Sequence, residues 1–154
     1  DYRGKGYGKA LMKDIFECLY RNGANRCMLI PGSDRVANWY ISQGFSKVSE
    51  QPISLINDYD YDFGREEEAL NTPQYRIINA EEYLAEYARL YPQASFVVSV
   101  KDNILLPNNA TYRVEQGYVK KVADSECNNP LNVSELFDAY PIKEDSYFMV
   151  RMFR

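Results

Sequence analysis

The chain has 154 residues, enough for one domain or two small ones, and 45% of them are hydrophobic, so a packed core is expected and disorder is not. Its formal net charge of -4 argues against a general nucleic-acid binder, and no apolar run approaches the roughly 18 residues that a membrane span needs. Histidine is absent, which removes Ser-His-Asp and Cys-His catalysis together with the commonest metal ligand; no metal site is expected.

Cys18, Cys27 and Cys127 are widely spaced, with no CxxC pair, and point to reduced thiols in a cytoplasmic protein. The chain opens with charged and glycine residues, so no signal peptide is read, and Asp1 in place of Met suggests a fragment or a processed product. The sequons at Asn109 and Asn132 then read as chance.

In chain order, Leu11, Ile15, Cys18 and Leu19, with Met12 and Phe16 beside them, predict an amphipathic helix from Tyr7 to about Arg21 that stops at Asn22-Gly23. Arg26 to Ile30 is a short strand ended by Pro31-Gly32. Ser33 caps a second helix running to about Gln43, and Gly44 suits the left-handed position after it. Phe45 to about Ile56 reads as extended, with Pro52 favouring an edge or a bulge.

Residues 57–74 change character. Asp58, Asp60 and Asp62 alternate with Tyr59, Tyr61 and Phe63, and Glu66, Glu67 and Glu68 follow; the segment reads as a linker, or in its first part as an edge strand. As a solvated acidic run it is better explained as a linker than as an attractor of cationic amines. Gln74 to Ile78 is a short strand, and Asn79 caps a helix from about Ala80 to Leu90, with Glu82 in the capping-box position.

Phe96 to Val100 is a strong strand, and Asp102-Asn103 and Pro107-Asn108-Asn109 are turn chemistry. Thr111–Glu115 and Tyr118–Ala123 form a hairpin about Gln116-Gly117. Asn132 caps a short helix through about Ala139, and Ser146 to Phe153 reads as a last strand. Phe96, Val98, Val100, Tyr112 and Val114 alternate as a half-buried sheet does, and ordinary core explains them. The whole is α+β.

The chemistry concentrates at the beginning. In Asp-Tyr-Arg-Gly-Lys-Gly-Tyr-Gly-Lys-Ala, a glycine-rich turn leads into a helix, where backbone N–H groups and the positive end of the helix dipole suit a phosphate. Gly6 and Gly8 let the backbone approach closely, and Arg3, Lys5 and Lys9 add positive charge. A P-loop is excluded because Arg3 and Ala10 stand where its first Gly and its Ser/Thr belong, and the run is GxGxG rather than GxGxxG.

Arg3, Gly6 and Gly8 follow the pattern Arg/Gln-x-x-Gly-x-Gly/Ala. This resembles the pyrophosphate loop of the GCN5-related N-acetyltransferases. A second stretch, Asn38 with Tyr40-Ile-Ser-Gln-Gly44-Phe45, is similar to that family's Asn-x-x-x-Tyr-x-x-x-Gly-Phe region, although Asn38 stands closer to the tyrosine. The resemblance covers about residues 1–56 and implies the C-terminal half of an acetyltransferase domain. It begins at the loop. The family's preceding strands, one of which polarises the thioester carbonyl through a backbone N–H, have no counterpart in this sequence.

What the resemblance implies is transfer of an acetyl group from acetyl-CoA to a small-molecule or peptide amine. Arg3, Gly4, Lys5, Gly6, Tyr7, Gly8 and Lys9 would hold the phosphates, Asn38 the pantetheine arm, and Tyr40 would donate a proton to the leaving thiolate. Against this, Tyr40 is one of 14 tyrosines and could simply pack beside Trp39, and Asn38 could be an ordinary surface amide. The strand at 26–30 would keep an open edge, which invites pairing with another copy.

Residues 75–154 resemble more weakly a sterol-carrier-protein-2-like domain, through Arg76-Ile77-Ile78-Asn79, Phe96–Asp102, Pro107 with Asn109, and Tyr112-Arg113-Val114. Such a domain follows the acetyltransferase domain in Eis-like enzymes, whose terminal carboxylate acts as a base. The resemblance gives that role to the carboxylate of Arg154, although an arginine departs from the family's aromatic terminus. The organisation expected is thus a half acetyltransferase domain at 1–56, a linker at 57–74 and a sterol-carrier-like domain at 75–154. A non-enzymatic binding or assembly module built on the last of these is the alternative.

Overall fold

The computed structural model describes residues 4–47, 74–127 and 129–142. The elements are α1 (Tyr7–Arg21), β1 (Arg26–Leu29), α2 (Asp34–Ser42), β2 (Ser46–Lys47), β3 (Gln74–Ile77), α3 (Ala80–Leu90), β4 (Phe96–Lys101), β5 (Ala110–Glu115), β6 (Tyr118–Val122), β7 (Pro130–Asn132) and α4 (Val133–Ala139). The fold is α+β, with two sheets and four helices among the described residues. No helix there is long and apolar enough to cross a membrane.

Local chemistry sets most of the boundaries. α1 ends where Asn22 caps it and Gly23 turns left-handed at φ 79. Ser33 Oγ accepts from Val36 N–H at the start of α2, and Asn79 Oδ1 accepts from Glu82 N–H at the start of α3. At α4 the Glu135 carboxylate reaches back to the Asn132 N–H at 2.7 Å. The β5–β6 hairpin turns on Gln116 and Gly117, both at positive φ (52 and 80), the two-residue geometry that matches strand twist.

Long-range pairing is where sequence patterns are silent. β3 lies between β1 and β2, antiparallel to both, with Arg26 opposite Ile77 and Ser46 opposite Tyr75. A strand grouped by sequence with the C-terminal segment is therefore the centre of a sheet whose outer strands come from residues 26–47. Among the described residues β1 is hydrogen-bonded to a strand on one side only. The second sheet runs β6-β5-β4-β7. β7 pairs parallel with β4, a strand that the pattern around Pro130 does not announce.

Two apolar clusters flank β3. Phe16, Phe45, Ile78 and Leu105 form one, with Met12, Leu19, Cys27, Leu29 and Tyr40 packed on it. The larger joins Ile77, Tyr83, Leu84, Val98, Val100, Tyr112, Val114, Leu136 and Phe137 beneath α3 and α4. Tyr75 stacks on Phe137 with ring centroids 5.3 Å apart, so successive residues of β3 serve opposite clusters. The extended residues expected at 48–56, the linker at 57–73 and the last strand at 146–153 lie outside the described residues.

Candidate cofactor site at the start of the first helix

Gly4 and Gly6 have φ 74 and 80, and no atom lies within 4 Å of a Cβ built on either. Glycine is required there by backbone conformation and not by crowding. Gly6 is the N-cap of α1 with no side-chain cap, and the first turn holds no acidic residue. Lys5 and Lys9 are exposed on either side. The start of α1 is thus an electropositive, side-chain-poor surface of the kind that receives anions.

Gly8 is a different case. A Cβ on it would stand 3.3 Å from Cζ2 of Trp39, so the first turn of α1 lies against α2. On α2, Asn38 is exposed and Tyr40 is half-buried. The Tyr40 ring meets Trp39 edge-on at 5.0 Å and Phe45 at 5.3 Å, and Phe45 meets Phe16 of α1 at 5.9 Å. The glycine-rich turn, Asn38 and Tyr40 therefore belong to two helices in contact. Tyr40 packs beside Trp39, as the plain reading of that residue anticipates, and this packing orients the phenol.

The turn after α2 is built by Gly44 at φ 86, where a Cβ would lie 1.8 Å from Nη1 of Arg76. The Arg76 guanidinium fills that space, covers the Phe16 ring at 4.5 Å and pairs with Asp102 at 2.8 Å, both side chains being 1% exposed. The sequence places Arg76 in a strand and Asp102 at a turn, and does not announce that they pair. A lone charge inside the apolar strand Gln74–Ile78 was the available signal.

Burial is the main influence on the titratable groups of the interior. It pushes the Cys27 thiol up to about 12, against the opposing pull of Arg76. The Tyr83 and Tyr112 hydroxyls are raised for the same reason, desolvation. Among the described residues, no group of three or more His, Cys, Asp or Glu could hold a metal ion. Arg3 and Arg154 lie outside the described residues.

No protein-family model matches the chain, and no curated protein matches it.

Proposed function

We propose that this chain carries the cofactor-binding helix pair of an acetyl-CoA-dependent N-acetyltransferase. The observation that supports it best is the contact between two motif-bearing helices: Gly8 of the glycine-rich turn lies against Trp39, the residue before Tyr40. Sequence order and the contact between the two helices both support this reading.

In this reading Arg3 and the backbone of residues 4–9 receive the pyrophosphate, and Asn38 lines the path of the pantetheine arm. A neutral amine attacks the thioester carbonyl carbon, the C–S bond breaks, and the Tyr40 hydroxyl gives its proton to the departing thiolate. No hydrogen bond engages that hydroxyl among the described residues, which leaves it available as a donor. The amine itself is a small molecule or a peptide. A cytoplasmic setting, with Cys18, Cys27 and Cys127 all unpaired, belongs to the same proposal, as does pairing of copies through the β1 edge.

Residues 75–154 serve here as a sterol-carrier-like unit. The interior beneath their sheet is filled by Tyr83, Leu84, Tyr112, Val114 and Leu136, each no more than 1% exposed. Acetyl transfer to a panel of amines, with Tyr40→Phe beside the parent chain, tests the reading. A loss of about 100-fold in kcat with little change in KM is expected of a general acid, and equal rates would remove Tyr40 from that role.

A further inference from the structure

The contact between Gly8 and Trp39 has a geometry that ordinary core packing does not require. The smaller apolar cluster is complete with Phe16, Phe45, Ile78 and Leu105 at its centre, and Trp39 is not a member of it. The indole lies at the surface, 36% exposed, with its six-membered ring over the Gly8 backbone: the missing Cβ would be 3.3 Å from Cζ2 and 3.8 Å from Cη2. Tyr40, the next residue, meets the indole edge-on at 5.0 Å, and Tyr40 in turn meets Phe45 at 5.3 Å. A rigid ring with two torsions thereby connects the backbone of the glycine-rich turn to the phenol of Tyr40.

We propose that Trp39 is a positioning residue: it fixes the first turn of α1 relative to Tyr40, so that the anion-receiving backbone and the proton donor act on one cofactor molecule. This rests on the acetyltransferase reading and goes beyond it, since neither motif assigns a role to this position. The physical need is plain. Gly4, Gly6 and Gly8 make the start of α1 the part of the helix with the most conformational freedom, and no side chain caps it. Any order not supplied by the folded chain must be supplied at the cost of ligand affinity. The indole supplies it beforehand.

The test is a double-mutant cycle on CoA affinity, measured by calorimetry, with Trp39→Ala, Gly8→Ala, the double variant and Trp39→Phe. Trp39→Ala is expected to weaken binding about tenfold, and Trp39→Phe, which keeps a flat ring, no more than about threefold. Gly8→Ala should weaken binding by about fivefold in the parent chain even though alanine favours helix, because its Cβ displaces the ring. In the Trp39→Ala background the same change should cost less than about twofold, since no ring remains to be displaced. Unchanged affinity in Trp39→Ala, or fully additive effects, would overturn the inference while leaving the acetyltransferase reading standing.

A folded parent chain that binds no CoA would instead overturn that reading. The contact is then judged in ligand-free protein, where Trp39 is the only tryptophan and its fluorescence reports on itself alone. Gly8→Ala should shift its emission maximum, and an unshifted spectrum would overturn the positioning role.

Discussion

Arg76 and Asp102, 26 residues apart in sequence, form a buried ion pair that ties the two sheets together: one guanidinium nitrogen, Nη2, donates to both carboxylate oxygens at 2.8 Å. Asp102 also accepts from the N–H groups of Ile104 and Leu105 and from the Asn108 amide at 2.9 to 3.1 Å. The same Asn108 amide donates to the Ile78 carbonyl, and its Oδ1 accepts from the Ala80 N–H, so the pair is embedded in a network beneath the start of α3. Arg76 closes the other side against Phe16 and Gly44.

The two halves of this pair are expected to differ in what their removal does. Asp102→Ala strands a buried guanidinium and should destabilise the fold by about 3–5 kcal/mol. Arg76→Met leaves the carboxylate its remaining donors and should cost less. Urea denaturation of the two variants checks the order, and a larger loss for Arg76→Met would contradict it.

Gly44 should be far less tolerant of a side chain than Gly23. Both are left-handed, at φ 86 and 79, but nothing lies within 4 Å of a Cβ on Gly23, whereas one on Gly44 meets Arg76 at 1.8 Å. Gly23→Ala should lose about 1 kcal/mol, for the backbone conformation alone. Gly44→Ala should lose about 3 kcal/mol or more, because the guanidinium must leave its place between Phe16 and Asp102. Comparable losses in the two variants would show that Arg76 is not held as tightly as its contacts imply.

These residues also mark what the sequence could and could not disclose. The four helices, the cap residues Ser33, Asn79 and Asn132, and the Gln116-Gly117 hairpin are local events, and each is legible within about ten residues of chain. The left-handed position of Gly44 was legible too, from the end of the periodic run before it. Its contact with Arg76 was not, because it depends on β3 inserting between β1 and β2, and loop closure over that distance leaves no local pattern. For the same reason Asp102 read as a turn residue, when its carboxylate is the partner of a charge on another sheet. At the site, the glycines and Tyr40 stood out as motif positions, whereas Trp39 carried no motif and became visible only through its distance to Gly8.

Alkaline pH should unfold the chain by way of its buried acids. Cys27 has its pKa raised from 9.0 to about 12 by burial, so the unfolded chain loses this proton first. The contribution is intact below about pH 9 and is lost as pH rises towards 12, by up to about 1.4 kcal/mol per unit. Tyr83, Tyr112 and Tyr140, all raised by desolvation, act in the same direction above their ordinary range. Stability measured between pH 8 and 11 should fall, and Cys27→Ala should show a shallower fall. A flat profile would contradict the burial assigned to these groups.

Thiol labelling offers an independent check. Cys18 is exposed on α1, while Cys27 packs against the cluster of Phe16 and Phe45. Iodoacetamide at neutral pH should modify Cys18 at least about tenfold faster than Cys27, because the thiolate is the reactive form and burial suppresses it. Peptide mapping over time reads the two rates; equal rates would place Cys27 outside the core.

The central claim, that α1 and α2 form an acetyl-CoA site, is tested most directly by calorimetric titration of the folded chain with acetyl-CoA, repeated with Arg3→Ala and Gly6→Ala. The account predicts saturable binding at one site, weakened about tenfold or more by Arg3→Ala through loss of a charge-assisted phosphate contact. Gly6→Ala should weaken it as well, because its φ of 80 is strained for alanine. A folded chain that takes up no acetyl-CoA, or binding that neither substitution alters, would contradict it.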